Sequence, residues 1–337
     1  MTNSPFPDRR EVLSAGLALA AAATTSARAA DANEFKMFDG HMHLISDDAK
    51  KYPFATGPSS PGADPPGSPP GPGQSLQVGK PLMKPNAHRA LQWMDEQGVG
   101  QIAAVQRRGS YGFDNSYILD ASAAHPTRFR PVVVLDGEDP KTPAQLREWV
   151  KSRHICGLRI TGPATPHEWL DSDQALKTWS EADRLGLTMN VLYAPQRFNA
   201  DCLRAVLGVA RKFPRVKLVV DHFGWPTLEA PPVSGFAHAP EGFTSQPNIY
   251  FKYSTTNLYI LEEAKIPTAV FMRDAVDRIG AHRIFWGSDV GSAGGTYGEM
   301  VQMAKDSTAQ LTEAERRQVL GHTGRKVFSP AVPRSPA

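Results

Sequence analysis

The chain has 337 residues, of which 41% are hydrophobic and 21% charged, a balance that supports a large buried core and excludes disorder for most of its length. A formal charge of +3, from 37 basic and 34 acidic residues, gives no broad positive field, so nucleic-acid binding has no electrostatic support. Two cysteines, Cys156 and Cys202, are too few for a disulfide scaffold or a cysteine-rich zinc module and read as structural thiols.

The first thirty residues read as an export address. Asp8-Arg9-Arg10-Glu11-Val12-Leu13 precedes an Ala-rich apolar stretch from Ala15 to Ala23 and the small-residue run Ala27-Arg28-Ala29. The stretch is too short to cross a hydrocarbon layer of ~30 Å, so a cleaved signal peptide is expected over residues 1–30, with no stable membrane anchor. The paired arginines resemble a twin-arginine signal, which implies the Tat export machinery as a partner and the periplasm as destination. An amphipathic N-terminal tail is the alternative.

From residue 31 to about 330, eight short apolar runs recur: Met37 to His43, Gln101 to Gln106, Pro131 to Leu135, Gly157 to Ile160, Thr188 to Tyr193, Val216 to His222, Asn248 to Lys252 and Ile284 to Asp289. Most are separated by stretches of helical periodicity, the alternation that specifies a parallel sheet with helical crossovers. Thr142-Pro143 predicts a cap and first-turn proline for Ala144 to Arg153, Asn199 opens Ala200 to Phe213, and Gly186 and Gly280 close two further helices. A last capping box runs from Thr312 to Glu315. No glycine fingerprint follows the first run, so the expected fold is α/β, a single-domain (β/α)8 TIM barrel rather than a doubly wound sheet. Residues 57–73, almost all Pro, Gly, Ser, Ala and Asp, predict a loop after strand 1, before a helix from Lys84 to Gln97. That loop reads either as a solvated spacer or as a rim of the barrel mouth, with Tyr52-Pro53-Phe54 beside it.

Chemistry-bearing residues collect at strand ends. His41 and His43, two apart on strand 1, project to one side. Asp289 ends strand 8, which barrel closure makes the neighbour of strand 1, so a carboxylate and two imidazoles converge. This trio can hold a divalent cation, or act without metal as a base flanked by hydrogen-bond donors. His222, at the end of strand 6, reads alone as a structural histidine and beside the pair as a candidate electrophile. Arg159 on strand 4 should face the barrel interior, where an unpaired guanidinium is costly, so its partner is either a protein carboxylate or an anionic substrate. Lys252 on strand 7 carries the same ambiguity and leans structural.

Asp39-Gly40-His41-Met42-His43, Val105-Gln106 with Tyr111-Gly112-Phe113-Asp114-Asn115, Gly157-Leu158-Arg159, Asp221 to Pro226 and Trp286-Gly287-Ser288-Asp289 together resemble the amidohydrolase superfamily, most closely its 2-pyrone-4,6-dicarboxylate lactonase-like branch. The resemblance runs from Phe38 to about Phe328. It implies a barrel in which His41, His43, His222 and Asp289 surround the scissile bond, with Asp289 and His222 catalytic and His41, His43 and Asp289 as the metal set if a metal is present. Arg159 and Tyr193 would hold the substrate, with Tyr52 and Ser110 as further substrate contacts. The cofactor is either Zn2+ or another single divalent cation, or none.

Two departures qualify the match. Where metal-dependent relatives carry a histidine at the end of strand 5, this chain reads Val191-Leu192-Tyr193-Ala194-Pro195. Where the pyrone lactonase has an arginine in the strand 6 motif, this chain has Trp225, so the second carboxylate of a dicarboxylate loses a partner. The expected reaction is opening of a small anionic lactone from aromatic-compound degradation, of muconolactone or pyrone type and carrying a carboxylate or sulfonate. The rivals are a metal-dependent decarboxylase of an aromatic or enol acid and a non-catalytic periplasmic binding barrel. A homo-oligomer is left open.

Overall fold

Each of the eight apolar runs forms a strand: β1 (Met37–Met42), β2 (Val99–Val105), β3 (Phe129–Val134), β4 (Gly157–Thr161), β5 (Thr188–Leu192), β6 (Lys217–Val220), β7 (Ile249–Ser254) and β8 (Ile284–Gly287). The structure is a computed structural model that describes residues 35–55, 77, 79–161, 167, 169–193, 200–224 and 239–333. The export segment over 1–30, the loop over 57–73, Asn199 and Trp225 lie outside the described residues.

The strands are parallel and hydrogen-bonded in chain order from β1 to β8. The sheet then curls until its ends meet. Asp289 N–H donates to His41 O (2.7 Å), His43 N–H donates to Val290 O (3.1 Å), and Met42 forms a parallel bridge with Val290. Two glycines allow this approach: a Cβ on Gly287 would lie 2.6 Å from His41 Cβ, and one on Gly40 would lie 2.5 Å from the Phe285 ring. The result is a (β/α)8 barrel whose seam runs through the segments that carry the histidine pair and Asp289.

The α-helices among the described residues are α1 (Ala87–Gln97), α2 (Arg108–Tyr111), α3 (Ser116–Ala124), α4 (Thr142–Arg153), α5 (Asp173–Leu185), α6 (Ala200–Lys212), α7 (Thr255–Glu263), α8 (Thr268–Ile279), α9 (Tyr297–Ser307), α10 (Glu313–Arg317) and α11 (Thr323–Val327). Gly186 and Gly280 end α5 and α8 with φ of 70° and 91°, and Thr312 with Glu315 forms the expected capping box. The expected cap at Thr142 is corrected. Thr142 is the first residue of α4, and its hydroxyl donates to Asp136 O (2.6 Å), while Lys141 occupies the cap position without a side-chain bond. A second box, Thr296 with Glu299, opens α9 directly after the β8 loop.

At the N-terminal ends of the strands, Phe38, Phe285 and Phe328 are buried and packed together, with ring centroids 6.1 Å apart for Phe38–Phe328 and 5.7 Å for Phe285–Phe328. Each fully buried phenylalanine contributes roughly 2 to 3 kcal/mol. Among the described residues no helix is long and apolar enough to cross a membrane. Cys156 and Cys202 are both buried and not joined in a disulfide, and burial raises the Cys156 thiol to about 11, so Cys156 is an inert packing group.

Candidate active site

The site is built where β1, β6 and β8 end. Asp39 fixes the rim of the seam: its carboxylate accepts from His41 N–H (2.9 Å), Ser288 N–H (2.8 Å) and the Tyr297 hydroxyl (3.2 Å). Burial pushes the Asp39 carboxyl up, partly offset by those donors. After β6 the chain turns sharply through Asp221–Gly224, with His222, Phe223 and Gly224 at φ of 50°, 56° and 65°, and after β8 Asp289 sits at φ 59°. Left-handed backbone costs a non-glycine residue about 1 to 2 kcal/mol. Both strained positions carry candidate site residues, as is common at active sites.

Four buried groups meet here. His41 Nε2 and His43 Nε2 are 3.1 Å apart, each lies close to Asp289 Oδ1 (3.6 and 3.5 Å), and the His41 and His222 ring centroids are 5.5 Å apart. His43 Nδ1 bonds Val105 O (2.8 Å). A carbonyl only accepts, so Nδ1 carries the hydrogen of the neutral ring and Nε2 presents a lone pair to the site. His222 Nδ1 bonds Ser254 Oγ (2.7 Å), Asn257 Nδ2 donates to His222 O (2.9 Å), and Thr256 Oγ1 donates to Asp289 Oδ2 (3.2 Å). These three residues, on and just before α7, carry no sequence signal of their own; only their place after β7 puts them at the rim.

Burial, reinforced by Lys252 and Arg159, holds His41 far below the ordinary histidine value. Burial lowers His43 as well, against the opposing pull of Asp289, and it brings His222 down to about 4 despite Asp289 and Asp221. Burial pushes the Asp289 carboxyl up, but the side chain of His43, with the neighbouring His222 and Arg159, outweighs it and holds Asp289 below the usual carboxylate value. At neutral pH the cluster is therefore one carboxylate among three neutral imidazoles.

That donor set fits a divalent cation. The ligand atoms of His41, His222 and Asp289 all lie within 4.8 Å of one another. If no cation is shared, the 3.1 Å contact requires His41 Nε2 to donate, which leaves the buried His41 Nδ1 a bare acceptor with no partner. His43 Nε2 and Asp289 Oδ1 would also face each other as two acceptors. His222 thus stands with the sequence-based set of His41, His43 and Asp289 as a further candidate ligand, while His43 Nε2 lies 3.1 Å from His41 Nε2 and 3.5 Å from Asp289 Oδ1.

The expected substrate contacts are placed differently. Arg159 does face the interior, but its Nε is 2.7 Å from Asp221 Oδ2, and Lys252 Nζ is 2.8 Å from Asp221 Oδ1. Asp221 is held well below the carboxylate range because these two cations overcome its burial. The partner of Arg159 is thus a protein carboxylate. The Tyr52 hydroxyl donates to Asp120 Oδ2 (2.8 Å) on α3, so it is tied to the helix layer. Tyr193 is buried after β5, its hydroxyl raised by burial and by Cys202 and Asp171 rather than by the histidine cluster. Ser110 lies at the mouth, where its Oγ accepts from Arg107 Nη1 (3.1 Å). Arg107, which sequence reasoning passed over, also donates from Nε to Ser292 Oγ (3.2 Å) on the β8 loop.

Among proteins of known sequence, the chain is similar to L-fucono-1,5-lactonase of Burkholderia ambifaria, 26% identical over 200 residues. That match covers 57% of this chain and 65% of the lactonase, so the chain spans about two thirds of the length of this relative. A Pseudomonas putida protein assigned as 2-pyrone-4,6-dicarboxylic acid hydrolase has a similar fold, with a TM-score of 0.61, 19% identity and coverage of 87% of this chain and 97% of that one. A dihydroxybenzoic acid decarboxylase from Polaromonas sp. JS666, solved with manganese and an inhibitor, also gives a TM-score of 0.61, at 16% identity and with 87% and 96% coverage. Residues 38–329, which hold every strand from Phe38 onward and all four clustered side chains, match the amidohydrolase family, and the chain belongs to it.

Proposed function

We propose that this protein opens a small anionic lactone by hydrolysis. The observation that carries this reading is the placement of one ionised carboxylate, Asp289, among three neutral imidazoles in a buried cluster at the ends of β1, β6 and β8. Similarity to a lactonase over 200 residues supports the same reaction class. In the proposed reaction Asp289 takes a proton from water as the water oxygen bonds to the ring carbonyl carbon. The carbonyl oxygen gains charge, and hydrogen bonds aimed at that oxygen are typically worth ~3 to 4 kcal/mol. Collapse of the tetrahedral carbon breaks the ring C–O bond, and Asp289 returns the proton to the departing oxygen, giving a hydroxy acid. Thr256 fixes the second oxygen of Asp289 throughout. A divalent cation held by His41, His222 and Asp289 would lower the pKa of water and polarise the carbonyl.

The rival reaction is decarboxylation of an aromatic or enol acid, which the manganese-bound fold relative makes worth testing. Tyr193, rather than histidine, after β5 counts against it. Incubating the protein with muconolactone, pyrone dicarboxylate and dihydroxybenzoates separates the two. Hydrolysis is expected to release protons with no carbon dioxide; carbon dioxide from an aromatic acid overturns the reading, and tight binding without turnover across the panel favours a binding barrel. The twin-arginine motif at Arg9-Arg10 supports export to the periplasm as a further part of the proposal.

A further inference from the structure

Arg107 follows β2 by two residues, on the side from which Val105 O holds His43. The loop beneath it is stiffened by Gln106, whose Nε2 donates to Gly112 O (2.8 Å) and Asp114 O (2.9 Å). From there the guanidinium reaches over the end of β1 to the β8 loop. Nε donates to Ser292 Oγ (3.2 Å) and Nη1 to Ser110 Oγ (3.1 Å), while Ser292 N–H donates to Asp289 O (3.0 Å), tying the contact to the candidate base. Both partners of Arg107 are neutral hydroxyls. Among the described residues no carboxylate lies within ion-pair distance of it, and Asp289 is the acidic group whose charge acts on it, against burial and the repulsion of Arg159.

This is an unusual way to hold an arginine. A part-buried guanidinium loses hydration, and the usual recompense is a carboxylate that accepts in two-pronged fashion. Arg159 and Lys252 share Asp221 in that manner. Arg107 is instead oriented by two hydroxyls, with Asp289 acting on its charge only from beyond ion-pair distance, beside the cluster where a substrate must sit.

We propose that Arg107 selects substrates carrying a carboxylate or a similar planar oxyanion, taking the role that Arg159 was expected to fill. The inference rests on the lactone reading for the identity of the substrate but not for the presence of an anion site. Arg107 positions the anionic group so that the ring carbonyl lies over Asp289; it takes no part in proton transfer.

The test compares Arg107→Gln, Arg107→Lys and Ser110→Ala in the full chain, each checked for folding by its melting curve. Glutarate, a simple dicarboxylate, is titrated calorimetrically, and turnover is measured on muconolactone and on uncharged γ-butyrolactone. Wild type is expected to bind glutarate and Arg107→Gln to bind it at least about 10-fold more weakly, with Arg107→Lys between. The kcat/KM preference for muconolactone over γ-butyrolactone is expected to fall about 100-fold in Arg107→Gln, mostly through KM. If that variant does not fold, Ser110→Ala and Arg107→Lys are expected to move the same ratio in the same direction by smaller factors. An unchanged ratio in the folded variants, or no glutarate binding by wild type, overturns the proposal. Wild type that binds glutarate in an Arg107-dependent way yet opens neither lactone would instead count against the lactone reading and leave the anion site standing.

Discussion

Asp289 Oδ1 and His43 Nε2 stand 3.5 Å apart, and the bond from His43 Nδ1 to Val105 O makes the facing nitrogen an acceptor. Two acceptors at this range repel unless a proton or cation lies between them. Chelator-treated protein titrated with zinc is therefore expected to bind about one ion per chain, as open three-ligand sites do. His222→Ala should weaken that affinity by at least about 10-fold, whereas titration without saturable binding would assign the space to a proton.

Asp221 is the common counter-ion of Arg159 and Lys252, and all three side chains are almost wholly buried. Replacing it with asparagine leaves two cations in the barrel with no carboxylate. Asp221→Asn is expected to lower the free energy of unfolding by about 3 to 5 kcal/mol, read from urea denaturation. A change below about 1 kcal/mol would show that water reaches these cations.

Acid should destabilise the metal-free protein earlier than carboxylate titration alone would. His222 titrates at about 4 when folded and near the ordinary histidine value of 6.5 when unfolded, so between those values the unfolded chain binds more protons. Stability then falls as pH drops through that window, by about 3 kcal/mol from His222, with His41 and His43 acting in the same direction. Asp221, depressed below 3.8, adds a loss at still lower pH. Urea midpoints measured at about pH 7, 5.5 and 4.5 should decrease in that order; a flat profile would mean the imidazoles are protonated in the folded state.

The barrel was legible because each strand is a short apolar run closed by a turn, and because a parallel sheet in chain order leaves β1 beside β8. From that closure alone, His41, His43 and Asp289 had to share one rim. His222 was harder to read: nothing at 222 or 223 announces the left-handed turn, which in a sequence is ordinarily marked by glycine or asparagine. The partner of Arg159 was not legible, since Asp221 lies 62 residues away and strand parity gives a direction without a contact. Tyr52 reads as a mouth residue from its place in the chain, but Asp120 draws its hydroxyl outward. Arg107 stands in Gln106-Arg107-Arg108, a pair of charges that looks like a solvated face until Ser110 and Ser292 are seen to hold the first of them over the end of β1.

The role of Asp289 as base is tested most directly by the steady-state rate of lactone opening, followed by proton release, in wild type and Asp289→Asn at matched metal content. Asparagine keeps the size of the side chain and an acceptor for Thr256 while removing the basic oxygen. Turnover is expected to fall by about 10³-fold with the melting temperature little changed; a folded Asp289→Asn protein that opens the lactone at the wild-type rate would contradict the account.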